Sequence, residues 1–232
     1  MSQRENLFRP IHKGIRAMIY ELGLRLGIAD FRDIHESNEV AAQLRRDLSV
    51  TTSNCILCLL QTHSTHEERD FFAAVRPFDP ELVTMMMTEH GEIVRRIVSL
   101  GKTCDELLPV TDPARRIEVG DRLILEANDL FAFYLAHLNN EEATLVPVMW
   151  ERFTDEQLRI LRGAFYNHIP LERFEEWMRW TIPALNPNEL EVLLSGMKTD
   201  PPPNRFTDAM RVAEGTLDEP RWSQLKVRIG ET

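Results

Sequence analysis

Several histidines and glutamates lie where an amphipathic helix would carry apolar residues. His137 follows Tyr134 by three residues and Glu141 follows His137 by four, so both project from the apolar stripe of one helix. An unpaired ionised group in a core is costly unless an opposite charge or a metal ion compensates it. No Lys or Arg lies nearby on that face. The pattern therefore predicts a buried metal site.

The same pattern occurs twice along the chain. A single histidine is followed, 51 and 47 residues later, by the motif His-x-x-x-Glu-Glu, which begins at His63 and at His137. A His and a Glu one helical turn apart can bind the same ion, and imidazole with carboxylate suits iron, manganese or zinc. The six candidate ligands are His12, His63, Glu67, His90, His137 and Glu141. The repetition indicates two half-sites that face each other in a duplicated helical hairpin.

The elements that must position these residues are helices. Glycine is scarce, with 10 in 232 residues, and apolar residues recur at steps of three and four. Four long stripes, over 11–26, 44–71, 82–100 and 123–145, predict an all-α fold, an antiparallel four-helix bundle with additional short C-terminal helices. The second stripe lies between 37 and 75 and is expected to kink or restart at 51–54.

Proline-containing boundaries divide the rest of the chain. We expect the metal-binding bundle to span 1–153, a helical extension packed on it to span 154–200, and a tail to span 201–232. The extension has helix signals at 155–167, 170–182 and 187–197, and the tail has one, at 207–214. Three prolines at 201–203 mark the break between them.

Composition excludes several classes of protein. The net charge of −10, without any basic cluster, argues against binding to nucleic acid. No segment approaches 18 consecutive apolar residues, so we expect no membrane span. Three cysteines, an odd number, cannot form a complete disulfide framework and favour a reducing cytoplasm. The sequence leaves open whether the chain forms a homodimer.

With these residues in place, the segment Ile11 to Trp150 resembles the hemerythrin-like, or HHE cation-binding, family. The resemblance implies an antiparallel bundle with two bridged non-haem irons, the six residues above as ligands, and Glu67 and Glu141 as bridges. Two departures argue against reversible oxygen carriage in its standard form. Oxygen carriers have a second histidine on the third helix, where this chain has Val94, and an aspartate five residues after the fourth-helix histidine, where this chain has Glu141 at four.

The resemblance implies binding of a small diatomic or peroxidic ligand (oxygen, nitric oxide or peroxide) in sensing or handling, in iron handling, or in protection of metal centres. One alternative is a di-iron oxygenase or oxidase, in which the C-terminal helices form a pocket for an organic substrate. Another is a metal-free interaction module that presents Trp177 and Trp180. A ferritin-like site is disfavoured because no Glu-x-x-His occurs in the chain.

Four further features are interpreted more simply. His66 is expected in an outer shell or in solvent, with ligation as an alternative, and His168 is a substitute ligand without a spacing argument. Cys55-x-x-Cys58 lies in an apolar run, which favours packed thiols over a redox pair. Glu68 and Glu142 are expected to lie off the stripes, facing solvent or neighbouring helices.

Overall fold

The computed structural model describes residues 4–45, 56–199 and 204–231, which form helices and no strand. The helices are α1 (Arg9–Ile28), α2 (Ile34–Leu44), α3 (Ile56–Glu67), a π-helical turn (Glu68–Phe72), α4 (Ala73–Val75), α5 (Pro80–Leu107), α6 (Pro113–Arg152), α7 (Asp155–His168), α8 (Leu171–Ala184), α9 (Pro187–Thr199), α10 (Asn204–Thr216) and α11 (Glu219–Ile229). The all-α prediction is confirmed. The kink expected at 51–54 lies outside the described residues.

Helices α5 and α6 form a long antiparallel hairpin. Asp79 and Asp112 cap their N-termini by accepting hydrogen bonds from backbone N–H groups, and each helix has proline in its first turn. The turn of residues 108–112 reverses the chain. The helices run in opposite directions, because Arg96 near the middle of α5 pairs with Asp129, at 2.8 Å, while Glu106 at its end pairs with Arg122 near the start of α6.

Helices α1 and α3 complete the four-helix bundle. Helix α1 runs antiparallel to α6, since Arg16 bonds Asn139 at 2.9 Å while the indole of Trp150 donates to the carbonyl of Glu5 at 2.7 Å. Tyr134 of α6 donates to the carbonyl of Leu60 in α3, at 3.1 Å. The buried stripes of these helices, as predicted from their periodicity, share one core.

The two long helices extend past the ends of their predicted apolar stripes, at 100 and 145. Helix α5 continues beyond Gly101 because Cys104 and Leu107 keep its stripe buried. Helix α6 continues through Pro147, which removes one backbone hydrogen bond, because Met149 beyond it is buried. Tertiary packing outweighs these two local helix-ending signals.

A π-helical turn follows Glu67 directly. In it the consecutive residues Phe71 and Phe72 are both buried. Phe71 stacks on Phe165 of α7, with ring centroids 4.9 Å apart, and Phe72 stacks on His90 of α5, at 5.0 Å. Single π-helical turns are often found at functional sites. This one allows adjacent aromatic rings to face two different neighbours.

A fully buried arginine fixes the far end of the bundle. Arg116 of α6 donates from Nε to the carbonyl of Phe31 at 3.1 Å and from Nη1 to the carbonyl of Leu107 at 3.2 Å. Its Nη2 donates to Ser37 and Asn38 of α2. Neutral acceptors thus satisfy the buried guanidinium of Arg116. The same hydrogen bonds connect α2 and the turn between α5 and α6 to this one side chain.

The C-terminal helices pack on α1 and on each other. Helix α8 lies along α1, α7 contacts the π-helical turn, and α10 and α11 contact α8 and α9. The tail therefore carries one helix more than the sequence predicts. In α11 only Leu225 and Ile229 are buried, so its apolar pattern is weak, whereas its ends are marked by the Asp218 cap and Gly230.

The division at 153 and 200 stays a prediction. Among the described residues, no helix combines the length and apolarity that crossing a membrane requires.

The contact between α1 and α8 leaves no room for a side chain at Gly14. A Cβ there would lie 2.7 Å from Oγ1 of Thr181 and 2.9 Å from its backbone N and Cα. We predict that Gly14→Ala destabilises the protein by about 1–3 kcal/mol through overpacking, which exceeds the gain of up to ~1 kcal/mol from replacing a helical glycine. Thermal unfolding followed by circular dichroism measures the effect.

The matched control is Gly23→Ala in the same helix, where a Cβ would meet nothing within 4 Å. We expect this variant to be as stable as the wild type or more stable. Equal melting temperatures for the two variants would contradict the close approach of α8 to α1.

Candidate metal centre

The six predicted ligands meet in the middle of the bundle. Helix α1 supplies His12, α3 supplies His63 and Glu67, α5 supplies His90, and α6 supplies His137 and Glu141. Each side chain is at most 2% exposed. They form two clusters, in each of which the possible ligand atoms lie within 4.8 Å of one another. One cluster contains His12 and His63, the other contains His90 and His137, and both glutamates belong to both clusters.

Each glutamate directs one oxygen toward each cluster. Oε1 of Glu67 lies 3.0 Å from Nε2 of His63 and 3.4 Å from Nε2 of His12, while its Oε2 lies 3.7 Å from Nε2 of His90. Oε1 of Glu141 lies 3.2 Å from Nε2 of His137, while its Oε2 lies 3.4 Å from Nε2 of His12. Ligand atoms at about 2.1 Å from a common ion are about 3.0–3.4 Å apart. The spacings suit two ions bridged by two carboxylates.

The donor set also fits a metal because its inward-facing atoms are otherwise unsatisfied. Nε2 of His63, His90 and His137 and both oxygens of Glu141 are buried without a hydrogen-bond partner, as is Oε2 of Glu67. Buried polar atoms are normally paired, so such a convergent group needs an explanation. A metal ion would satisfy all of these atoms.

Three outer carboxylates bind the opposite ring nitrogens. Nδ1 of His12 lies 3.1 Å from Oε1 of Glu142, Nδ1 of His90 lies 2.8 Å from Oε1 of Glu68, and Nδ1 of His137 lies 2.7 Å from Oε2 of Glu89. Such partners fix the ring orientation and the tautomer that leaves Nε2 free for a metal, and they raise the basicity of the ligand.

Glu68 and Glu142 therefore face neighbouring helices and take part in the site. Sequence reasoning missed Glu89 altogether, and also missed the role of the other two. The signal that could have found them is position, because Glu68 and Glu142 each follow a predicted ligand and Glu89 precedes one. A residue next to an inward-facing one points sideways, toward the adjacent helix.

His63 has different surroundings. Glu89 precedes His90 in the second half of the duplicated sequence. In the first half, the residue that precedes His12 is Ile11, which has no carboxylate. The ring of His63 instead contacts the indole of Trp177 in α8, at 5.7 Å between centroids, and lines a small cavity. Trp177 is 2% exposed, so it belongs to the interior and offers no protein interface.

The buried charges shift the pKa values strongly. Burial disfavours protonation of His137, but the negative charge of Glu141 and the hydrogen bond to Glu89 outweigh burial and raise its pKa to about 10. The pKa values of His12 and His90 are also raised, because neighbouring carboxylates outweigh burial. The pKa of Glu141 lies far below its usual value, since His137 and His90 outweigh the effect of burial. Without metal, the buried carboxylates thus favour the protonated forms of His12, His90 and His137.

The other candidates lie outside the two clusters. His66 is 7% exposed, its Nδ1 has no hydrogen-bond partner, and burial together with the charge of Arg69 lowers its pKa to about 4. His168 is half-exposed and bonds Asp70 at 3.1 Å. Cys58 is half-buried in α3, and Cys55 lies outside the described residues.

Comparison with known proteins agrees with this geometry. The family model of the hemerythrin HHE cation-binding domain matches residues 5–149, well over half of the chain. The chain belongs to this family. No curated protein and no solved structure matches it significantly. The match ends before α7, so the four-helix bundle with the two clusters is the hemerythrin domain, and the C-terminal helices lie beyond the matched segment.

For the metal-free hemerythrin domain we predict a loss of stability with rising pH. The pKa of His137 is about 10 in the folded protein against 6.5 for an ordinary histidine. The contribution of protonated His137 to the free energy of unfolding is complete below pH 6.5. It is lost as the pH rises toward 10, because His137 loses its proton at a lower pH in the unfolded chain than in the folded protein. Urea unfolding at pH 7 and pH 9 should show a decrease on the order of 1 kcal/mol per pH unit. In the metal-loaded protein the metal replaces the proton on His137, so the free energy of unfolding should decrease less between pH 7 and pH 9. An equal dependence on pH in the two forms would contradict the assignment of His137 as a metal ligand.

We also predict that Glu89→Gln weakens metal binding by about 10–100-fold, because His137 loses its charged partner. Competition against a chelator of known affinity measures this change. The matched control is Glu92→Gln on the same helix, where the carboxylate pairs with Arg95 and Arg96. An equal effect of the two substitutions would show that Glu89 has no special role.

Proposed function

We propose that this hemerythrin-domain protein binds a non-haem di-iron centre at His12, His63, Glu67, His90, His137 and Glu141. Its role would be in sensing or handling a small ligand such as oxygen, nitric oxide or peroxide, in iron handling, or in protection of metal centres. The observation that carries this proposal is the division of each glutamate between two histidine pairs, which supports two bridged ions. When bound, two irons supply coordination positions that the protein does not fill, where a small ligand can bind.

The choice of iron rests on the donor types. Each cluster offers two imidazoles with carboxylate oxygens, a combination typical of non-haem iron sites that keep open positions. No thiolate belongs to either cluster among the described residues. Manganese and zinc accept the same donors, so metal analysis must distinguish the three.

The chain's own residues keep the site charged, oriented and dry. Two inner and three outer carboxylates compensate the charge of the ions, and Arg16 bonds the outer Glu142 at 2.8 Å. Burial disfavours the charged form of Glu142, but hydrogen bonds from His12 and Arg16 outweigh burial and lower its pKa to about 2. Phe8 and Phe72, both fully buried, cover the rings of His12 and His90 and exclude water.

The structure offers little support for an oxygenase acting on an organic substrate. In the cavity beside His63 the centre of a water-sized molecule has about 10 Å³ of free space. Sites for organic ligands enclose about 300–1,000 Å³. A ligand of a few atoms is therefore the better match. The odd number of cysteines supports a reducing compartment such as the cytoplasm.

Metal content tests the proposal directly. We expect protein purified without chelator to contain about two irons per chain, and Glu141→Ala and His137→Ala to contain at most about one. Plasma mass spectrometry for iron, manganese and zinc gives the ratio. The control is Glu118→Ala, an exposed glutamate on the same helix, which should keep the wild-type ratio. Metal-free wild type that cannot be loaded with anaerobic ferrous iron would overturn the proposal.

A further inference from the structure

A small cavity lies between α3 and the C-terminal extension, beside the contact of His63 with Trp177. Its polar lining side chains include His63 and His66, and much of its apolar wall comes from Phe165, Phe174 and Trp177 of α7 and α8. The space is close to the lower limit for one enclosed water molecule, which is about 10–15 Å³. The cavity therefore admits a water-sized or diatomic group and nothing much larger.

His66 is the unexplained polar group at this cavity. It is 93% buried, its Nδ1 has no hydrogen-bond partner, and the edge of its ring meets Phe165 at 5.9 Å between centroids. It belongs to neither ligand cluster. An unpaired buried nitrogen is costly, so a partner that enters the cavity would explain its presence.

The cavity lies on one half of the metal centre. It is lined by His63, whose Nε2 lies 3.0 Å from Oε1 of Glu67. In the other half, Glu89 bonds His137 and Phe72 stacks on His90. Space next to a candidate ligand is thus found on the side of His63, beneath the extension.

We propose that this cavity is the binding site for the outer atom of a diatomic or peroxidic ligand, and that His66 forms a hydrogen bond with that atom. The inference rests on the proposed function, because the inner atom of the ligand would occupy an open position on the ion at His12 and His63. His66 is then a positioning residue that selects ligands with a hydrogen-bonding outer atom. The aromatic side chains of α7 and α8 limit the size of the ligand.

The test uses cyanide, a diatomic probe with an acceptor nitrogen at its outer end, added to the iron-loaded, oxidised full-length protein. In His66→Leu we expect cyanide to bind about fivefold more weakly, the effect of one lost hydrogen bond. The infrared C≡N stretching frequency of bound cyanide should also shift, because it reports the hydrogen bond directly. Iron content should equal that of the wild type.

Two further variants make the result specific. His66→Gln, which keeps an N–H donor, should restore much of the affinity and of the stretching frequency. His35→Leu, the same substitution at an exposed histidine of α2, should change neither. The metal-free His66→Leu protein should be as stable as the wild type or more stable, since an unpaired polar group is replaced by an apolar one.

The two hypotheses fail in different ways. Wild-type protein that takes up no metal overturns the proposed function and this site with it. A fully loaded His66→Leu protein with wild-type cyanide affinity and stretching frequency overturns the role of His66 alone. A weaker affinity with an unchanged frequency would also overturn the hydrogen bond, since the loss would then have another cause.

Discussion

Two carboxylates, Glu67 and Glu141, are fully buried side by side in the core, and the other features of the site compensate for that arrangement. Burial disfavours ionisation of Glu67 and the charge of Glu141 disfavours it further, but the neighbouring histidines outweigh both and lower the pKa of Glu67. Four imidazoles surround the two carboxylates. His12, His90 and His137, whose pKa values are raised, can supply positive charge by taking up protons, and all four imidazoles can bind metal ions. Protons and metal compete for the same nitrogen atoms, so metal affinity and the stability of the metal-free protein depend on pH for one common reason.

The outer carboxylates connect the two halves of the duplicated sequence. Glu68 follows Glu67 but bonds His90 of the second half, and Glu142 follows Glu141 but bonds His12 of the first half. Each His-x-x-x-Glu-Glu motif thus supplies a ligand to both clusters and orients the lone histidine of the opposite half. Neither hairpin contains a complete cluster by itself, and the four helices must be together before either cluster is complete.

Helical periodicity was sufficient to predict the helical class, the stripes of the bundle and the residues that converge in its core, because a 3.6-residue repeat fixes which side chains face inward. It could not predict the π-helical turn, which depends on Phe71 and Phe72 meeting different neighbours. It could place Glu89 beside an inward-facing residue but could not identify its partner His137, which lies on another helix at a distance set by interhelical packing. The helix ends at Leu107 and Arg152 were missed for a related reason, since burial beyond Gly101 and Pro147 offsets local signals.

The asymmetry between the halves gives the C-terminal extension a physical role. Three ligand histidines have a carboxylate at Nδ1, whereas the ring of His63 contacts Trp177 of α8. Packing against Trp177 constrains the ring of His63, whereas a carboxylate constrains each of the other three rings. The close contact of Gly14 with Thr181 holds α8 in that position. The extension thus determines both the space beside His63 and the surroundings of its ring.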